Sequence, residues 1–185
     1  MPLNDLNIRL LSIFPFLFFI IHLLYRANQG RSSEILWLCH ISNLTLFIAL
    51  LSNNKRLIQM SILWLIIGPI CWLIDLVVFR DISITSTIAH IGGVTIALLA
   101  FTHIGIAKYS WIDAFIFGLF IQQLCRFTTP TKFNVNVAHS IYPGMDKIFS
   151  VYWHYWLFNT LFIGLCLWFI NFILSKIPLK NEKLL

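Results

Sequence analysis

The chain has 185 residues and a net charge of +6, with 59% hydrophobic and only 11% charged residues and a mean hydropathy of +0.84. Soluble domains carry roughly 25% charged residues, so a soluble domain is excluded and one membrane domain over residues 1–185 is expected. The basic excess lies in short loops and the C-terminal tail, where it sets topology and meets lipid headgroups rather than nucleic acid.

Apolar runs near the ~20 residues needed to cross a bilayer recur along the chain. They predict an all-α polytopic membrane protein, a bundle of six transmembrane helices. Span one covers about Ile8 to Tyr25, with Pro15 near its middle as a kink point. Its end lacks an A-x-A-like cleavage site, so it is read as a helix and not as a signal peptide. After a polar loop, span two runs from Ile35 to Leu51 and span three from Leu57 to Phe79, with Gly68-Pro69 inside it. Arg80 to Thr85 connects to span four, about Ser86 to Ala107. Span five is Trp111 to Cys125, and span six is Val151 to Leu174. Between the last two lies a long loop, 126–150. Loops of that length are often functional, although ordinary turn chemistry explains its Asn, Pro and Gly residues equally well. Lys and Arg are nearly balanced between the two sets of loops, which leaves only a faint preference for both termini inside. The setting expected is the cell (plasma) membrane.

Short connections make successive helices antiparallel. His22, Cys39, His40, Asn43, Asp75, His90, Arg126 and His154 then fall at one face of the membrane. The other face has only His103 and Asp113 as comparable groups. Cys39 and Asn43 are an i, i+4 pair, and a lone carboxamide must turn inward from lipid. Asp75 within a span is costly unless it is paired or faces a cavity. Arg126 is its natural partner and His90 the second choice, either as an architectural lock or to orient a catalytic histidine. His90 precedes Gly92-Gly93, where another helix can approach closely.

A thiol becomes a nucleophile when a base takes its proton, and an imidazole is a fitting base. Cys39, His90, Asn43 and Asp75 are therefore the candidate catalytic residues. Arg126, His40, Asn134, Asn136, His139 and His154 are the candidate substrate-binding residues, with Arg126 and the asparagine loop suited to an anionic headgroup. His22 and His154 near the interface, and His139 in the loop, also fit simple solvated roles. The four cysteines form no C-x-x-C, and the six histidines no H-x-x-x-H, so no metal or cofactor is expected.

The opening of span two, Leu36-Trp37-Leu38-Cys39-His40, and the segment Ile88-Ala89-His90-Ile91-Gly92 resemble the YwaF-like integral membrane proteins. That family includes a vertebrate transmembrane phospholipid acyltransferase. The resemblance covers roughly Ile35 to Phe101, with a looser match at Asn134-Val135-Asn136. It implies a cysteine nucleophile at Cys39 and a histidine partner at His90. The expectation is a lipid acyltransferase or hydrolase with membrane lipids as partners. A small transporter or solute-binding protein, or a structural subunit of a membrane assembly, would use the same polar layer differently.

Overall fold

The computed structural model describes residues 9–79 and 83–179. The start of span one at Ile8, the connector around Arg80 and the tail from residue 180 lie outside the described residues. Within them the fold is all-α, with six helices. These are α1 (Ile13–Asn28), α2 (Leu38–Leu51), α3 (Lys55–Phe79), α4 (Ile84–Ile104), α5 (Ser110–Thr128) and α6 (Tyr152–Ser175).

Four of the described helical stretches are long and apolar enough to cross a membrane: Arg9–Asn28, Lys55–Val78, Ile84–Ile104 and Tyr152–Ser175. Several such segments make this an integral, multi-pass membrane protein. The 14 residues of α2 rise only about 21 Å, and α5 carries Asp113, Gln122, Gln123 and Arg126 along its length.

Two boundaries differ from expectation for local reasons. Span two does not begin as an α-helix at Ile35. A 3-10 turn occupies Ser32–Leu36, and Trp37 (φ −54°, ψ 135°) breaks the chain before α2 starts at Leu38. The second lies in span one, where the helical stretch Arg9–Asn28 is interrupted at Ser12, three residues before Pro15, the place at which a proline clashes with the preceding turn.

Helix α3 is the axis of the bundle, touching α2, α4, α5 and α6, while α1 packs on α2 and α4. The core is Leu46 and Leu50 of α2, Ile58, Ile62, Leu63 and Leu65 of α3, Ala97 of α4, and Leu167 of α6, nearly all with no exposed surface. Small residues set the spacing. A Cβ on Gly93 would lie 2.7 Å from Asn43 Oδ1, so only glycine lets α4 seat against α2 there.

One end of the bundle is fastened by polar contacts between neighbouring helices. Arg56 at the start of α3 grips Asp113 of α5 through Nε (2.6 Å) and Nη2 (2.5 Å). Asn171 of α6 donates to the Lys108 carbonyl at 3.1 Å. The opposite end holds the long loop and the candidate site.

Candidate functional site

Cys39 enters the site from the first turn of α2, and His90 from α4. Their side chains converge on Gly68 of α3. A Cβ built on Gly68 would lie 2.9 Å from the Cys39 Cβ and 3.8 Å from the His90 Cδ2. The missing side chain therefore makes the meeting possible. No hydrogen bond joins Cys39 and His90 among the described residues.

His90 is buried and locally locked. Its Nδ1 lies 2.8 Å from the Ser86 carbonyl, one turn earlier on α4. A carbonyl can only accept, so Nδ1 carries the proton and Nε2 keeps its lone pair. Trp72 stacks on the ring at a centroid distance of 5.2 Å and an interplanar angle of 16°. His40 meets His90 edge-on at 5.3 Å and stacks on His22 at 4.0 Å. His22 in turn bonds Thr85 Oγ1 at 3.0 Å. Three histidines from three helices thus form one buried column. His22 belongs to it, with 1% of its surface exposed, and is not interfacial as its position near a helix end implied. His40 Nδ1 is buried with no partner.

A cavity of about 900 Å³ lies against this column. Cys39, His40, Asp75, His90, Asn134 and Asn136 all line it, which unites most of the residues singled out in the sequence. The other four are elsewhere. Arg126 is not the partner of Asp75 and does not line the cavity. Its guanidinium lies over Trp153 (4.4 Å) and Tyr152 (5.3 Å) at the foot of α6, held by the faces of aromatic rings. His139 secures the loop internally, with Nε2 3.0 Å from Thr129 Oγ1 and its amide on Asn134 Oδ1 at 2.9 Å. His154 is exposed on α6 and outside the cavity wall. Asn43 is buried behind the site and donates to the Cys39 carbonyl (3.1 Å) and the Ala89 carbonyl (3.3 Å). It ties the two helices that carry Cys39 and His90, and does not itself face the cavity.

Asp75 has a different partner from the two expected. Tyr142, in the long loop, donates its hydroxyl to Asp75 Oδ1 at 2.6 Å. Burial, then the Asp75 carboxylate, pushes the Tyr142 phenol well above its ordinary range, because both disfavour a phenolate there. No periodicity places residue 142 against residue 75. Proximity across a long loop has no local signal.

The asparagines of the loop are structural in a specific way. Asn136 adopts a left-handed φ of +52°. Its Oδ1 accepts from the Leu38 amide (2.9 Å), and its Nδ2 donates to the Leu36 carbonyl (2.8 Å). It therefore caps the start of α2 directly beside Cys39, satisfying an amide that has no partner within the helix. Gln122 of α5 holds Asn136 in place through its carbonyl (3.0 Å) and accepts from Trp156 Nε1 (2.9 Å). Asn134, also left-handed at φ +43°, closes the turn on His139 and Ser140.

A charged cluster at the cavity wall has almost no signature in the sequence. Glu34, 5% exposed, sits between Arg31 (Nη2, 2.6 Å) and Arg26 (Nε, 3.4 Å). The i, i+3 spacing of Arg31 and Glu34 was the only signal for it. Two guanidiniums thus meet one carboxylate at this part of the wall. No grouping of three or more His, Cys, Asp or Glu side chains suits a metal ion among the described residues. No family model, curated protein or solved structure matches the chain.

Proposed function

We propose that this chain is a six-span enzyme of the cell membrane that moves an acyl group from a lipid ester through Cys39, with His90 as the proton carrier. The observation that carries the proposal is the convergence of Cys39 and His90 on Gly68 beside a cavity large enough for a small-molecule ligand, about 300–1,000 Å³ by general experience. In the proposed step, His90 Nε2 takes the thiol proton, and the Cys39 sulfur attacks the ester carbonyl carbon. The carbon–oxygen bond of the ester breaks, the leaving alkoxide takes the proton from Nε2, and a thioester remains on Cys39. An acceptor hydroxyl or water then gives its proton to Nε2 and attacks the thioester carbonyl carbon; the carbon–sulfur bond breaks, and the leaving thiolate takes the proton back from Nε2 to restore thiol and neutral imidazole.

The locked Nδ1 of His90 supports this reading, since it points the ring's remaining lone pair away from its own helix. The resemblance of the Cys39 and His90 segments to the YwaF-like proteins agrees with the same chemistry. A transport role fits less well, because the cavity belongs to one end of the bundle while transport sites sit near the midplane. The test uses purified protein in vesicles of phosphatidylcholine with a labelled acyl chain. A thioester label at Cys39 is expected in the parent and absent in Cys39→Ser and His90→Ala. Acyl transfer that persists in Cys39→Ala would overturn the proposal.

A further inference from the structure

Helix α3 changes character at Pro69. From Ile58 to Gly68 its residues are almost continuously buried; from Ile70 to Val78 none is buried. Proline removes one backbone amide and clashes with the preceding turn, so it is a natural place for a helix to depart from its neighbours. Helix α6 shows the complementary pattern. Leu167, Asn171 and Leu174 are buried in its second half, but between Trp156 and Cys166 nothing is. Over that stretch α6 leans on α5 instead, through the Trp156–Gln122 hydrogen bond and Gly164 against Phe115. The second half of α3 and the first half of α6 therefore flank a gap.

The residues on the two sides of this gap belong both to the outer surface and to the cavity. Ile74 of α3 is 53% exposed, and Phe158 and Phe162 of α6 are 47% and 53% exposed. All three line the cavity that holds Cys39. Cys71, also exposed, lies between them on the α3 side. The residues exposed at the rim, Ile74, Phe158 and Phe162, are apolar, as a surface facing hydrocarbon must be, while Asn159 and Thr160 of α6 also line the cavity. At the polar end of the gap stand Asp75 and Tyr142, joined across it.

We infer that the α3–α6 gap is a lateral portal through which an acyl chain of a bilayer lipid enters the cavity directly from the membrane. The occupant is a hydrocarbon chain because the rim is apolar and lies within two membrane-spanning helices. Its polar end would rest at the level of Asp75, Tyr142 and the histidine column. This deepens the acyl-transfer reading and rests on it for the identity of the occupant, but access to Cys39 can be measured on its own.

The experiment compares two reagents on the protein in phosphatidylcholine vesicles, in a Cys71→Ser background, with modification of Cys39 followed by peptide mass spectrometry. One is a maleimide on a long alkyl chain, dissolved in the bilayer. The other is a small sulfonated maleimide in the water. Ile74→Trp should slow labelling by the alkyl reagent about tenfold or more, equivalent to about 1.4 kcal/mol on entry. It should leave the water-soluble reagent unaffected. Leu73→Trp, next to it but outside the cavity wall, should change neither. Phe158→Trp, on the facing helix, should repeat the Ile74→Trp result and guards against a folding defect peculiar to α3. Equal alkyl labelling in Ile74→Trp, Phe158→Trp and Leu73→Trp would overturn the portal. If the portal variants behave as expected yet no thioester ever forms on Cys39, the portal stands and the acyl-transfer reading fails. If the thioester forms at the parent rate in Ile74→Trp, the portal fails and the enzyme stands.

Discussion

Asn136 lies 98 residues from Leu38 in sequence, yet it fixes the first turn of the helix that presents Cys39. Replacing it with alanine removes the acceptor of the Leu38 amide and the donor to the Leu36 carbonyl. The side chain is 8% exposed, so neither group is freely rehydrated. Each buried group left unpaired costs about 1–3 kcal/mol, and water entering from the cavity offsets part of that. Alanine at a φ of +52° adds about 1 kcal/mol of backbone strain. The expected total is about 3–5 kcal/mol. At about 2–4 °C per kcal/mol for a chain of this size, thermal unfolding in detergent should fall by roughly 6–20 °C. Asn136→Gly separates the two causes, since glycine tolerates the left-handed backbone. It should recover about 1 kcal/mol relative to alanine while still lacking the cap. Asn136→Asp keeps an acceptor for Leu38 but sets a carboxylate oxygen against the Leu36 carbonyl, so it should be no better than alanine. If alanine and glycine both unfold within about 2 °C of the parent, less than 1 kcal/mol, then Asn136 is not the clamp and the α2 start is held by something else.

Glu34→Gln should destabilise the protein by about 2–4 kcal/mol, below the full cost of breaking a buried pair because Arg31 is 39% exposed; a shift under about 0.5 kcal/mol in chemical unfolding, the level of an ordinary surface substitution, would show the cluster to be solvated. Tyr142 keeps its proton more firmly than a free phenol. Its contact with Asp75 therefore contributes fully below the ordinary phenol value of about 10 and is lost as pH rises through the higher folded value. An absorbance titration should show fewer tyrosines ionising near pH 10 in the parent than in a sample unfolded by denaturant, with the deficit smaller by one tyrosine in Tyr142→Phe; an unchanged deficit in that variant would refute the assignment.

Hydrophobic run length made the four long apolar helices legible, because crossing a bilayer demands it. The polar layer was legible because alternating helix direction turns position along each span into depth. Cys39, His40, Asp75 and His90 duly share a cavity. Pairing within that layer was not legible. Opposite charge at equal depth made Arg126 the obvious partner for Asp75. However, depth says nothing about rotation around a helix, and Arg126 turns to Trp153 and Tyr152 while Asp75 turns to Tyr142. The same limit hid His22. Its place near the end of α1 read as interfacial, whereas the ring points inward against His40.

The two halves of α3 show how one helix serves both stability and access. Before Pro69 it fills the centre of the bundle with Ile58, Ile62, Leu63 and Leu65, and its end is pinned by Arg56 on Asp113. Beyond Pro69 it gives up that packing and forms a cavity wall with Cys71, Ile74 and Asp75. Gly68 sits at the changeover, and its missing side chain is what admits Cys39 and His90. Close packing on one side of this point makes the other side usable. A bundle tight throughout would leave no room for a ligand, and one loose throughout could not hold two side chains from different helices to a common point. The polar groups gathered at the loose end are costly in a membrane. They are retained where the backbone is best constrained, by the Asn43 bonds between α2 and α4 and the Asn136 cap. That combination is expected of a site whose geometry matters, and a passive packing defect would not need it.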